Sequence, residues 1–228
     1  MKKLLPRIIF LVLLLAAAYL AYQQFSGSTN GAFVPYEKTE LQEWTAPKDA
    51  GLLRYSEERI ASFQKTINAF TETTTRDDKI NNYFALAAEQ QLIGRYTDAK
   101  KSLEMALALK NDAHIVHTYA SLLYQMGAGA DALDYLDDAI RAAPDVTNFW
   151  RTKISFMSTL YPDKKSKIEW AYKDGIKATN KDIDLITLYA SYLGANGRKN
   201  EAIQYWQMAI EKNPTAKTVY ESEIASLQ

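Results

Sequence analysis

Small residues and helix-breaking residues recur along the carboxy-terminal two thirds of this chain at a fixed spacing. Gly94 and Gly127 lie 33 residues apart, as do Ala99 and Ala132, and Ala106 and Ala139. Gly197, Ala202, Ala209 and Pro214 repeat the offsets of Gly127, Ala132, Ala139 and Pro144 at a distance of 70, two periods of about 35. A unit of that size cannot bury an apolar face alone, so successive units must stack. The residue types suit two antiparallel helices per period. Alanine lets the helices approach at their crossing. Glycine ends the first helix in the left-handed conformation, and proline stops the second.

This pattern resembles the tetratricopeptide (TPR) repeat: a large residue, a small one, a glycine turn, alanine, an aromatic or leucine, alanine, then proline. Residues 113–146 supply Tyr119-Ala120, Gly127, Ala132, Leu136, Ala139 and Pro144, and residues 183–216 supply Tyr189-Ala190, Gly197, Ala202, Trp206, Ala209 and Pro214. Residues 80–112 supply Leu86-Ala87, Gly94, Tyr96, Ala99, Leu103 and Ala106, with Asn111 where proline is usual. Residues 147–182 are degenerate. Trp150 opens the unit, Tyr161-Pro162-Asp163 replaces the glycine turn, and Ile168, Tyr172 and Gly175 stand at the alanine, aromatic and alanine places. The resemblance implies an all-α fold: an α-solenoid of four helix–turn–helix units over residues 80–216.

Flanking helices are expected to cap the array. Ser56, followed by Glu57 and Glu58, reads as the start of a helix whose apolar stripe is Ile60, Phe63, Ile67 and Phe70, within a capping segment 56–79. The tail, residues 217–228, reads as an amphipathic solvating helix through Val219, Tyr220, Ile224 and Leu227.

The amino terminus reads as a topogenic signal. Lys2, Lys3 and Arg7 precede fifteen residues, Ile8 to Tyr22, with no group more polar than a tyrosine hydroxyl. With its flanks, segment 1–25 approaches the roughly 20 residues of a transmembrane helix. No charge follows Arg7 until Glu37, so the positive-inside bias puts the amino terminus in the cytoplasm and the body outside. Ala16-Ala17-Ala18 also offers a cleavage-like exit, so a secreted product is the competing reading. Residues 26–55 read as linker. The chain balances 27 basic against 27 acidic residues, but residues 1–36 hold three basic and no acidic ones, which leaves the exported body mildly acidic. That balance gives no reason to expect a nucleic-acid partner.

Chemistry is sparse. The 228 residues include no cysteine and two histidines. Gly127-Ala128-Gly129 lacks the Lys-Ser/Thr of a phosphate loop. His114 and His117 share a helix face without a third ligand, so no metal and no cofactor are expected. Asp134, Asp137 and Asp138 read as a solvated face, and Lys164, Lys165 and Lys167 as a solvated basic turn. The expectation is a binding protein, not an enzyme.

The resemblance further implies that the first helix of each unit lines a concave groove. Transferred by position, the lining is Phe84, Ala88 and Gln91 in unit one; His114, His117, Ser121 and Tyr124 in unit two; Arg151 and Ser155 in unit three; and Thr187 and Ser191 in unit four. Chaperone-tail-binding members carry a clamp of lysines, arginine and asparagines there; this chain has Phe84, Ala88, His117 and Thr118. The groove is aromatic and neutral-polar, which suits an extended peptide or a partner helix. The layout is similar to that of bacterial envelope proteins. The expected function is therefore a membrane-anchored scaffold for protein–protein interaction on the extracytoplasmic side, in assembly or export of an envelope complex. The alternative is a periplasmic peptide- or glycan-binding protein after cleavage.

Overall fold

The structure is a computed structural model that describes residues 49–228. The expected anchor, residues 1–25, and the linker up to residue 48 lie outside the described residues. Among those described, no helix is long and apolar enough to cross a membrane.

The described residues form ten α-helices and no strand: α1 (Ala50–Asn68), α2 (Arg76–Leu92), α3 (Tyr96–Leu109), α4 (Ala113–Gln125), α5 (Gly129–Ala142), α6 (Thr147–Leu160), α7 (Lys165–Ala178), α8 (Ile183–Ala195), α9 (Lys199–Lys212) and, after a 3₁₀ turn at Pro214–Ala216, α10 (Lys217–Leu227). Four helix pairs, α2–α3, α4–α5, α6–α7 and α8–α9, stack as an α-solenoid. The crossing alanines Ala99, Ala106, Ala132, Ala139, Ala202 and Ala209 are all fully buried. At the matching place in unit three stands Gly175, where an added Cβ would lie 3.1 Å from the Trp150 ring. The bulkier Trp150 thus occupies the space that an alanine pair leaves elsewhere.

Gly94, Gly127 and Gly197 have φ of 79°, 83° and 76°. In each case the next residue's N–H reaches back five residues, Arg95 to Gln90 O, Ala128 to Leu123 O and Arg198 to Leu193 O, at 2.8–2.9 Å. That left-handed closure satisfies carbonyls the helix end would orphan. Unit three exchanges the two kinds of punctuation. Its inner turn is Tyr161-Pro162-Asp163, while the left-handed closure falls after its second helix, at Asn180 (φ 53°) and Lys181 (φ 60°), with Lys181 N bonded to Ile176 O at 2.7 Å.

Two boundaries differ from the sequence expectation. The first helix starts at Ala50, not Ser56, because the Asp49 carboxylate accepts from Gly51 N and Leu52 N at 2.8 and 3.0 Å. Ser56 lies inside the helix, fully buried. This helix then ends at Asn68, and Phe70 sits beyond it, edge-on to Tyr83 at 6.0 Å. Thr75 Oγ1 accepts from Asp78 N at 3.1 Å and so caps α2, placing Asp77 and Asp78 in the first turn of the next helix. Unit one therefore begins at Arg76, not residue 80. At the other end Tyr220, Ile224 and Leu227 of α10 pack on the core while Val219 faces solvent. Leu227 lies so close to Gly194 that a Cβ there would be 3.0 Å from its Cδ2.

Candidate functional site

The first helices α2, α4, α6 and α8 are tied to one another by side chains one repeat apart. Gln91 Nε2 donates to Gln125 Oε1 at 2.6 Å, His117 Nε2 meets Thr152 Oγ1 at 2.9 Å, and Arg151 Nη1 donates to Asp184 Oδ2 at 3.1 Å. The separations in sequence are 34, 35 and 33 residues. Aromatic contacts run beside them. Tyr124 stacks flat on Phe156, centroids 3.7 Å apart, and His117 stacks on Phe149 at 5.0 Å with His114 edge-on to the same ring at 5.2 Å. Burial, and then the neighbouring His114, push the His117 pKa down, so the ring is neutral at pH 7. With one nitrogen engaged by Thr152, His117 is a packing residue. No group of three or more ligating side chains gathers among the described residues.

An open groove of about 550 Å³ lies along α6. Asn148, Thr152, Ser155 and Thr159, spaced 4, 3 and 4, form a polar stripe on one face of that helix. Arg151 and Ser158 flank the stripe. Phe156, Tyr172 from α7 and Leu188 from α8 give the groove its apolar walls. Leu188 is 39% exposed, one of the few exposed large apolar side chains among the described residues. Burial pushes the Tyr172 hydroxyl up to about 12, so it stays a neutral donor. The groove thus offers hydroxyls, an amide, one guanidinium and an apolar wall, with no nucleophile–base pair.

Of the residues expected from sequence, Arg151 and Ser155 line this groove, and Tyr124 lies against its wall through Phe156. Gln91 and His117 are used between units. Ser121 Oγ donates to His117 O at 3.0 Å and Thr187 Oγ1 to Asp184 O at 3.0 Å, each back onto its own helix. Phe84 is half-buried against the core of units one and two. His114, Ala88 and Ser191 are exposed outside the groove. Asn148, Thr152, Ser158, Thr159 and Leu188 were not singled out from sequence, although the 4, 3, 4 spacing of polar residues on α6 was there to read.

A tyrosine clamp recurs between units, with Tyr119 and Tyr135 answered 70 residues later by Tyr189 and Tyr205. Tyr119 donates its hydroxyl to Glu104 at 2.9 Å and rests edge-on against Tyr135; Tyr189 reaches Glu169 at 3.4 Å and rests edge-on against Tyr205. Each spans from a first helix to the preceding unit's second helix, fixing unit against unit. Burial, with the Glu104 bond adding to it, pushes Tyr119 up to about 12. The aspartate cluster of α5 is not a purely solvated face. Asp137 is ion-paired to Lys153, a buried lysine of α6, and Asp138 to Arg141 at 2.6 Å.

Comparison with known proteins agrees with this geometry. No family model matches the chain, and no curated protein matches it. Solved structures do. MamA superposes with a TM-score of 0.55 at 18% identity, over 72% of this chain and 91% of that one. A tetratricopeptide repeat protein from Parabacteroides merdae gives 0.55 at 16% identity, over 78% and 71%. The C-terminal part of a TPR repeat-containing protein from Cytophaga hutchinsonii gives 0.56 at 16% identity, over 72% and 63%. At these identities the likeness is one of fold, and the fold is that of a TPR array.

Proposed function

We propose that this chain is a single-pass membrane protein whose TPR array scaffolds a protein complex on the extracytoplasmic side, in assembly or export of an envelope structure. Its partner is a protein, held as an extended peptide or a helix along the first-helix face. The observation that carries this reading is the α6 groove: a polar stripe able to pair with a peptide backbone, beside the exposed Leu188 and the Phe156 wall that accept an apolar side chain. The charge asymmetry of residues 1–36 supports the topology. The absence of paired acid–base groups in the groove favours binding over catalysis.

Affinity capture from solubilised membranes tests it, with the wild-type chain beside Leu188→Asp. Leu188 is partly exposed, and the helicity and Tm of the variant are measured beside wild type so that loss of partner is read on a folded chain. A specific partner recovered by wild type and lost with Leu188→Asp supports the groove; capture unchanged by the substitution refutes it. The second reading, release after cleavage, rests on Ala16-Ala17-Ala18 and predicts a mature chain starting at Tyr19. Intact mass decides between them.

A further inference from the structure

The strongest charged feature outside the groove is the outer face of α7. Lys167, Trp170, Lys173 and Lys177 follow one another at 3, 3 and 4, within one side of the helix. The opposite side is the buried one, with Ile168, Ala171, Tyr172, Gly175 and Ile176. Lys164 and Lys165 lie at the start of the helix and Lys181 beyond its end. Residues 163–181 thus hold six lysines, no arginine and three acids, in a body that after residue 36 carries 24 basic and 27 acidic residues.

Two of the three acids on or near this face are already paired. Asp163 pairs with Lys164 at 2.9 Å, and Glu169 turns away to Arg198 at 2.5 Å. Asp174 is half-buried, with its carboxyl pushed up by burial and drawn down by Lys177 and Lys153. From the adjoining helix α9, Glu201 feels Lys173 but is bonded to Arg198. In the middle stands Trp170, 54% exposed. The buried Lys153 ammonium lies 5.7 Å from its ring centroid, which seats the indole while leaving much of it in water.

We infer that the α7 face is a docking surface for an anionic phospholipid bilayer, with Trp170 inserted at the interface and the lysine stripe facing the headgroups. Three observations favour lipid over a protein. The stripe lies along a single outward helix face, with Trp170, Lys173 and Lys177 all exposed, a convex surface of the kind that meets a plane. All its cations are lysines, flexible point charges that suit a diffuse anionic plane better than the forked recognition of one carboxylate or phosphate. The aromatic at the centre is tryptophan, the side chain that favours the membrane–water boundary. This surface is separate from the α6 groove and does not depend on the amino-terminal segment spanning a membrane.

The test uses the full chain with vesicles of neutral phosphatidylcholine, or with about 30% phosphatidylglycerol, each containing brominated acyl chains that quench tryptophan on contact. The Trp170 signal is the wild-type emission minus that of Trp170→Phe. It should be quenched with the anionic vesicles, unquenched with the neutral ones, and recover at about 0.5 M salt. Each lysine removed should weaken the contact about fivefold, so Lys167→Gln/Lys173→Gln/Lys177→Gln, about 100-fold weaker, should show no quenching. A Trp170 signal unquenched by either vesicle, or quenched equally by both, overturns the inference. A signal blind to lipid but shifted by polyglutamate overturns it in favour of an acidic protein partner. Leu188→Asp leaves this readout untouched, so groove and lipid face fail separately.

Discussion

Lys153 and Asp137 share one ion pair but not one environment, and that asymmetry has a measurable consequence. The Lys153 side chain is 8% exposed and that of Asp137 29%. Removing one partner of a fully buried pair costs about 3–5 kcal/mol, because the survivor is left charged and unsolvated. When Lys153→Met is made, the surviving carboxylate is at the rim and rehydrates, so the cost falls to about 1–2 kcal/mol. When Asp137→Ala is made, the survivor is the buried ammonium, left with the Trp170 ring face and the half-buried Asp174. That cost stays near 3 kcal/mol. The double variant should resemble Lys153→Met alone, since no charge is then stranded. At about 2–4 °C per kcal/mol for a domain of this size, Asp137→Ala should lower Tm by about 6–12 °C and Lys153→Met by about 2–8 °C. Thermal and urea unfolding of the four chains read this directly. Equal losses for the two single variants, summing in the double, would refute the argument that burial of Lys153 sets the energetics of the pair.

Further tests follow from the turns, the tyrosines and the groove. Gly127→Ala forces a side chain to φ 83° and should cost about 1–2 kcal/mol in urea unfolding, whereas Asn180→Gly, already left-handed at φ 53°, should be near neutral or stabilising. Tyr119 and Tyr172, both pushed up to about 12, hold their protons more tightly folded than unfolded. Their contribution is complete below pH 10 and is lost as pH rises from about 10 to 12; Tyr189, Tyr192 and Tyr205 are pushed up by burial as well, so ultraviolet titration against denaturant should show a late-ionising group of phenols that is one smaller in Tyr119→Phe. His117 runs the other way. Its lowered pKa gives stability that is present above about 6.5 and lost as pH falls through the folded value. Ring nitrogen NMR follows it, and a His117 signal titrating above 6.5 contradicts the packing role.

The sequence carried the repeat architecture because its markers answer backbone demands. Only glycine sits easily at φ near 80°, and only small residues permit the crossing, so Gly94, Gly127, Gly197 and the six alanines are visible without coordinates. Unit three was harder because its turn chemistry is exchanged: Pro162 stands in the inner turn and the left-handed closure moves to Asn180 and Lys181. The start of α1 was missed because Pro47 and Gly51 resemble linker, while Asp49 caps as well as Ser56 would. The groove was legible only in part. Gln91, His117 and Arg151 lie on first helices, and each is bonded to a partner 33–35 residues away. A polar residue bound across units looks the same in sequence as one left for a ligand. That separation equals the repeat period, so pairing polar residues at the period is the signal that distinguishes them.

The central claim is that the α6 groove, and not the outer face of the array, holds the protein partner. Site-specific photo-crosslinking in native membranes measures this, with a photoreactive residue at Ser155 in the groove and, for comparison, at Asp138 on α5. The account predicts a discrete protein adduct from position 155 that disappears with Leu188→Asp, and none from position 138. Adducts from position 138 with none from 155, or an adduct at 155 indifferent to Leu188→Asp, would contradict it.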